Sequence, residues 1–489
     1  MEKEEKINFF GNFFRLTFLF SIFFLILSYF ASLFPLFNKI SFFVILFLIL
    51  IFSLERLEYG IYFLFAELFL GSKGYLFYFD YQGVLISLRI ALFLIILGVW
   101  FFKIFKEKKV KEVKNLFGEL KNYLFLFLIV LWGIIWAFFQ KNQFQNIFFD
   151  ANAWFYLLLV FPIFDTIKKK KQIENLLQIF AALVIVLFLK TFFLLWIFSH
   201  QIEIAMPSLY QWVRSFGIGE ITYLGGNFYR IFLQSQIYNL LAFFIFLILL
   251  LKENVFQEKK KFLSLIILSS LVILVSFSRS FWLAFIAILG LLMLYLLWSE
   301  KIGLKKLLKI CFFLLFFLIL EIGFVYLFIS FPPVSHPVSF ASLVEKRVTT
   351  STFEPAGKSR LNQLGPLSLA IIRHPLLGSG FGKTVTYKSS DPRNLGEDLK
   401  GTYTTYAFEW GYLDLWLKIG LLGIFIYFWL LGKVLKLGFQ KYQREGEPFL
   451  LGIFFALIAL IVVHIFTPYL NHPLGFGFLI FSHLIFKKF

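Results

Sequence analysis

The chain has 489 residues, of which 60% are hydrophobic and 15% charged, with 74 phenylalanines and a formal net charge of +19. Soluble domains carry about 25% charged residues, and no soluble core absorbs this much apolar surface. The composition therefore excludes a soluble enzyme, a nucleic-acid-binding protein and a disordered chain, and indicates an all-α polytopic membrane protein. The single cysteine, Cys311, precludes an intrachain disulfide, and no Cys/His cluster suggests a metal or other cofactor. The opening MEKEEKINFFGNFFRL runs into an apolar stretch without a small-residue cleavage site, so no cleavable signal peptide is expected.

Apolar runs of spanning length lie at roughly 13–36, 39–54, 58–72, 84–102, 121–139, 152–167, 174–198, 231–251, 262–278, 281–298, 307–331, 412–432, 449–466 and 471–486. The expectation is about 12–14 transmembrane helices, with the third run short enough to be re-entrant. Basic clusters check the count. They are Lys103 to Lys114, Lys168 to Lys171, Lys252 to Lys261, Lys301 to Lys309, Lys433 to Arg444, and Lys487 with Lys488. From a cytoplasmic N-terminus every cluster falls on the cytoplasmic side, as the positive-inside rule requires, and both termini are expected there. Two outward segments are long, about 199–230 and 332–411. The second carries Pro332, Pro333, Pro337, Pro355, Pro366, Pro375 and Pro392, and an amphipathic stretch, Lys358 to Arg373, expected to form a short helix on the membrane face.

Ionisable residues inside the apolar runs are Glu67, Arg89, Lys190, Glu321, Asp414 and Lys418, with His464 near a run's end. Such residues are costly in a membrane and are candidates for function. One reading is a polar cavity open to the outside. The structural reading is that Glu67 pairs with Arg89 and Asp414 with Lys418, four residues on.

Three arginines stand out by position. Arg279 lies in SFSRSFWLAF, at a tight outward turn; Arg230 lies in NFYRIFLQSQ, where the outer loop meets the eighth run; Arg360 lies in GKSRLNQLG, at the start of the loop helix. One interfacial Arg can simply snorkel to lipid headgroups. Three converging guanidinium groups would bind a diphosphate, because the planar fork matches phosphate oxygens. RHPLLGSGFG, Arg373 to Gly382, holds His374, which is either a general base or a helix-end cap, and a glycine-rich turn that signals phosphate only weakly. YAFEWGYLDLWLKIGLLGIF, Tyr406 to Phe425, leads into the twelfth run and places Glu409 at the membrane face beside Trp410 and Tyr412, which also fit an interfacial belt.

These three segments together resemble the O-antigen ligase and polymerase superfamily of bacterial membrane proteins. SFSRSFWLA is similar to its Ser-Arg turn, KSRLNQLGPLSLAIIRHPLLGSGFG to its large periplasmic loop, and EWGYLDLWLKIGLLG to the segment leading into the next span. The resemblance covers about 225–432 and divides the chain into N-terminal helices (1–224), a core (225–432, including the loop 332–411) and C-terminal helices (433–489). In the ligase branch the last segment begins His-Asn, followed by nine residues and then a Gly; counting back from Gly420, Glu409 and Trp410 stand at those places. A carboxylate can serve as general base in place of the imidazole.

The resemblance implies a polyprenyl diphosphate-linked glycan as donor, a glycan or glycolipid acceptor, and the outer face of a bacterial inner membrane as the place of reaction. Arg279, Arg230 and Arg360 are then expected to bind the diphosphate and Glu409, or else His374, to act as base, in a metal-independent inverting transfer. A transporter of small anions and a non-catalytic envelope-assembly scaffold are the alternative classes.

Overall fold

The computed structural model describes residues 7–253, 255–333, 355–389 and 401–489; Pro337 and Pro392 of the long loop lie outside the described residues. The chain is an all-α membrane protein, and every predicted apolar run contains a helix. In order these are α1 (Asn12–Leu33), α2 (Pro35–Glu55), α3 (Leu57–Leu70), α4 (Leu88–Lys106), α5 (Val110–Glu119), α6 (Lys121–Phe139), α7 (Phe144–Ala151) and α8 (Val160–Thr166). They continue as α9 (Lys170–Ser199), α10 (Met206–Ser215), α11 (Ile237–Lys252), α12 (Phe256–Ser276), α13 (Arg279–Trp298) and α14 (Leu304–Ser330). The last four are α15 (Pro355–Arg373), α16 (Gly411–Glu445), α17 (Pro448–Val463) and α18 (Pro473–Lys488). Helices α7 and α8 join through the 3-10 segment Asn152–Leu159 into one continuous crossing. Among the described residues, ten helices are long and apolar enough to cross a membrane. The four remaining runs fall on α3, α12, α17 and α18, which are shorter or begin or end in lysines.

Three antiparallel hairpins interrupt the helices: β1 (Tyr78–Tyr81) with β2 (Val84–Ser87), β3 (Gly219–Gly225) with β4 (Phe228–Leu233), and β5 (Val385–Lys388) with β6 (Thr402–Thr405). The first turns on Gln82 and Gly83, both at positive φ (51° and 85°), the geometry that lets two residues close a hairpin without splaying its strands.

Packing sorts the helices into core and rim. Ile237 to Leu249 of α11 are all buried, against α12 and α17. Phenylalanine supplies much of the cohesion: Phe69 meets Phe180, Tyr238 and Phe481 edge-on at 5.2, 4.7 and 5.6 Å. Such pairs contribute about 0.5–1.5 kcal/mol each beyond burial. On α14, by contrast, Leu308, Phe312, Leu315, Ile319 and Leu327 form an exposed apolar stripe, suited to lipid rather than to a core.

Hydrogen bonds divide the connections between two ends of the bundle. At one end Lys252 Nζ reaches Glu300 at 2.8 Å, Lys487 reaches Glu119 at 2.7 Å, and Trp100 Nε1 donates to Asp165 at 2.9 Å. All six predicted basic clusters flank these contacts. The hairpins, α10, α15 and the turn at Arg279 lie at the other end.

Candidate functional site

The turn between α12 and α13 is built to hold an arginine. Phe277 is buried in the left-handed region (φ 46°), a strained conformation for a bulky residue, and stops α12 abruptly. Ser278 begins the next helix, whose first residue is Arg279. Arg230 comes to the same turn from β4: its Nε donates to the Ser276 carbonyl at 2.8 Å, and its guanidinium lies over the Phe232 ring at 4.8 Å. The β3–β4 register sets Thr222 opposite Arg230 and Glu220 opposite Phe232, which brings the Glu220 carboxylate to 3.8 Å from Arg230. Arg230 is thereby bonded to a carbonyl three residues before Arg279 in the chain.

The connection from α17 to α18 links this corner to the third arginine. Thr467 Oγ1 donates to Ser280 Oγ at 2.9 Å, beside Arg279, while the next ring back, Phe466, packs on Trp410 with centroids 5.7 Å apart. Trp410 Nε1 donates to the Arg360 carbonyl at 3.0 Å, and the Arg360 guanidinium forms an ion pair with Glu409. Arg360 and Glu409 are thus partners, and both are about 40% exposed (side chains 42% and 40%), so the pair is open to exchange. The sequence singles out both residues but not their pairing.

His374 stands apart. It follows α15, and Arg360 lies fourteen residues earlier on that helix, about 21 Å at 1.5 Å per residue. Leu367 and Ile371 of α15 are buried with Phe408 and Leu417, while Leu361, Leu369 and Ile372 are exposed, so the amphipathic helix packs one face against α16. His374 lies toward the middle of α16, away from Glu409 at its start, and the turn after it plunges into the bundle. Trp416 Nε1 donates to the Pro375 carbonyl at 2.9 Å.

That turn explains its glycines by packing rather than by phosphate. Gly378 and Gly380 both have positive φ (76° and 78°), and a Cβ on either would lie 2.6 Å from backbone, of Lys418 and Gly420 in one case and of Ala137 in the other. Gly420 itself breaks α16 (φ 68°, ψ −178°). The amide groups beyond the break find partners on the inserted turn: Leu421 N donates to Pro375 O at 3.0 Å and Leu422 N to Leu376 O at 3.3 Å. Unpaired backbone is untenable at membrane depth unless protein supplies the partner.

The intramembrane charges are mostly paired. Arg89 forms two hydrogen bonds to Glu67 at 2.9 and 3.0 Å and a third to the Ser72 carbonyl at 2.7 Å. Lys418 bridges Asp414 at 2.7 Å and Asp150 at 2.5 Å; Asn471 donates to Asp414 at 2.7 Å, and Gly382 N to Asp150 at 2.8 Å. This buried cluster ties α7, α16, the inserted turn and the α17–α18 connection together. Glu321 accepts from Ser270 Oγ, and Lys190 lies over the Trp212 ring at 5.9 Å. Asp150 and Asn471 were missed in the sequence because their partners are 268 and 57 residues away. Glu67 with Arg89 and Asp414 with Lys418 pair as the structural reading expects, and none of the six intramembrane charges lines the cavity described at this end. The cavity, of about 360 Å³, is lined instead by Lys73, Arg214, Gly217, Gly219, Glu220, Phe232 and Gln234. Lys73 and Arg214 are cations outside the lysine-rich clusters, the signal that finds them in the sequence.

Residues 263–428 match the family model described as O-antigen ligase. Over this segment, about a third of the chain, the protein is similar to the O-antigen ligase family. The matched O-antigen ligase segment runs from α12 into α16 and contains Arg279, Arg360, His374 and Glu409, while Arg230 precedes it. The match supports a part in glycan transfer during envelope biosynthesis for this multi-pass membrane protein. No curated protein matches the chain at a significant level.

Proposed function

We propose that the protein transfers a glycan from a polyprenyl diphosphate-linked donor to an acceptor hydroxyl at the outer face of the inner membrane, with the lysine end and both termini in the cytoplasm. The carrying observation is the arginine corner: Arg230 bonded to the turn from which Arg279 projects, with the Arg360–Glu409 pair on the other side of the α17–α18 connection. Outside the cytoplasmic membrane no ATP or nucleotide sugar is supplied, so the donor must carry its own leaving group.

In this scheme the acceptor oxygen attacks the anomeric carbon on the face opposite the diphosphate. The carbon–oxygen bond to the diphosphate breaks, its electron pair stays with the leaving oxygen, and the arginines stabilise the charge that develops there. Glu409 takes the hydroxyl proton. One displacement inverts the anomeric configuration, and the arginines serve as the anion stabiliser, so the scheme routes no step through a metal. Arg360 has two candidate anions, the Glu409 carboxylate and the diphosphate. Donor binding that recruits Arg360 releases Glu409 to act as base, which couples proton removal to the presence of donor.

Purified protein in lipid nanodiscs, assayed with a synthetic polyprenyl diphosphate glycan, tests the reading. Loss of one oxyanion-type donor costs about 10²–10³ in turnover; Arg279→Ala should fall by at least that much with its helix content intact. Wild-type turnover in Arg279→Ala would sink the mechanism.

A further inference from the structure

The cavity lined by Lys73 and Arg214 has no part in the chemistry above, yet it is a built site. Lys73 sits in the turn after α3, and that turn is held from below: Arg89, fixed bidentately by Glu67, donates to the Ser72 carbonyl, and Ser72 Oγ lies 3.1 Å from Ser235 Oγ. All four side chains are buried. Lys73 N also reaches the Gly217 carbonyl at 3.4 Å, joining the turn to the far wall. A buried ion pair is an expensive way to position a surface turn, and here it positions a lysine at a cavity mouth. Arg214, 3.5 Å from Glu220, and Phe232 also line the cavity.

The lining has two cations and one carboxylate, Lys73 and Arg214 against Glu220, for a net charge of +1. That balance suits a singly charged anion better than a dianionic phosphate. A volume of about 360 Å³ is at the lower end for small-molecule sites and admits a mono- or disaccharide. Phe232 offers an aromatic face, the surface on which the C–H face of a sugar ring packs. The other claim on that ring is Arg230, over it at 4.8 Å, so the cavity adjoins the arginine corner across a single side chain.

We infer that this cavity is a subsite for an acidic sugar, a hexuronate-class residue of the glycan substrate, with its carboxylate between Lys73 and Arg214 and its ring on Phe232. The inference rests on the glycan-transfer reading and adds substrate class to it: the protein selects repeats that carry a carboxylate next to the reacting end.

Binding tests this without any transfer step. Full-length protein in nanodiscs is titrated with a hexuronate-containing tetrasaccharide and with its methyl-esterified, uncharged counterpart, followed by saturation-transfer NMR. The acid should bind at least tenfold more tightly than the ester, and the preference should shrink as salt rises. Lys73→Gln with Arg214→Gln should remove the preference at unchanged thermal unfolding. Lys73→Gln alone, which leaves the Arg214–Glu220 contact in place, should weaken it about tenfold. Equal binding of acid and ester, full binding by the double variant, or inorganic phosphate competing as well as the hexuronate would each overturn the assignment. Arg279→Ala should retain the acid preference, so failure of the transfer mechanism and failure of the subsite are separately visible.

Discussion

The two ends of this bundle use positive charge in opposite ways. At the lysine end, long stems reach acids across short connections, as Lys487 does to Glu119 and Lys252 to Glu300 and the neighbouring Tyr442 hydroxyl. These contacts are partly exposed, and surface pairs of this kind contribute about 0–1 kcal/mol. At the arginine end the cations sit on backbone that permits little movement: a left-handed Phe277, a β-hairpin with fixed register, and a helix pinned at a broken neighbour. Abundant charge sets orientation; sparse, fixed charge is suited to binding a substrate. A net charge of +19 conceals that distinction until the charges are sorted by end.

Variants at the two ends break or sharpen the contrast. The largest expected effect after Arg279→Ala is at the base: Glu409→Gln should lower turnover about 10²–10⁴-fold with donor binding preserved. If turnover is unchanged, His374 takes over the candidacy despite its separation along α15. Asp150→Ala leaves Lys418 with one carboxylate and Gly382 N without its acceptor. Breaking a buried pair costs about 3–5 kcal/mol, so thermal unfolding should move down by several degrees and activity should fall with it. Gly380→Ala forces a Cβ onto the Ala137 backbone at positive φ and should destabilise by about 1–3 kcal/mol, read by the same unfolding curve. The smallest effect belongs to the lysine end: Lys487→Gln should change stability by less than about 1 kcal/mol and leave turnover intact. A turnover loss there matching that at Arg279 would erase the contrast.

Helices were legible in the sequence because a membrane imposes one requirement, a run of apolar residues long enough to satisfy its own backbone. Arg230, Arg279 and Arg360 stand out in the sequence because they fall outside the lysine-rich clusters that the positive-inside rule assigns to one side. Long-range choices were not legible. Glycines at 378 and 380 signal a turn, but nothing local says that the turn enters the bundle and repairs a break at Gly420. Strand β2 falls inside the fourth apolar run, since Val84, Leu85 and Ile86 read equally well as the start of a helix; the Gln82–Gly83 pair is the turn signal that separates them. Likewise Glu409 and Arg360 lie 49 residues apart, and their pairing depends on how α15 docks on α16.

The central claim is that the arginine end, and not the more basic lysine end, holds the donor diphosphate. Native mass spectrometry of a polyprenyl diphosphate bound to the full-length protein tests it directly. The account predicts that Arg230→Ala with Arg279→Ala abolishes the bound species while replacement of Lys301, Lys305 and Lys306 by Gln leaves it unchanged. Retention of the diphosphate by the arginine variant, or its loss in the lysine variant, would contradict it.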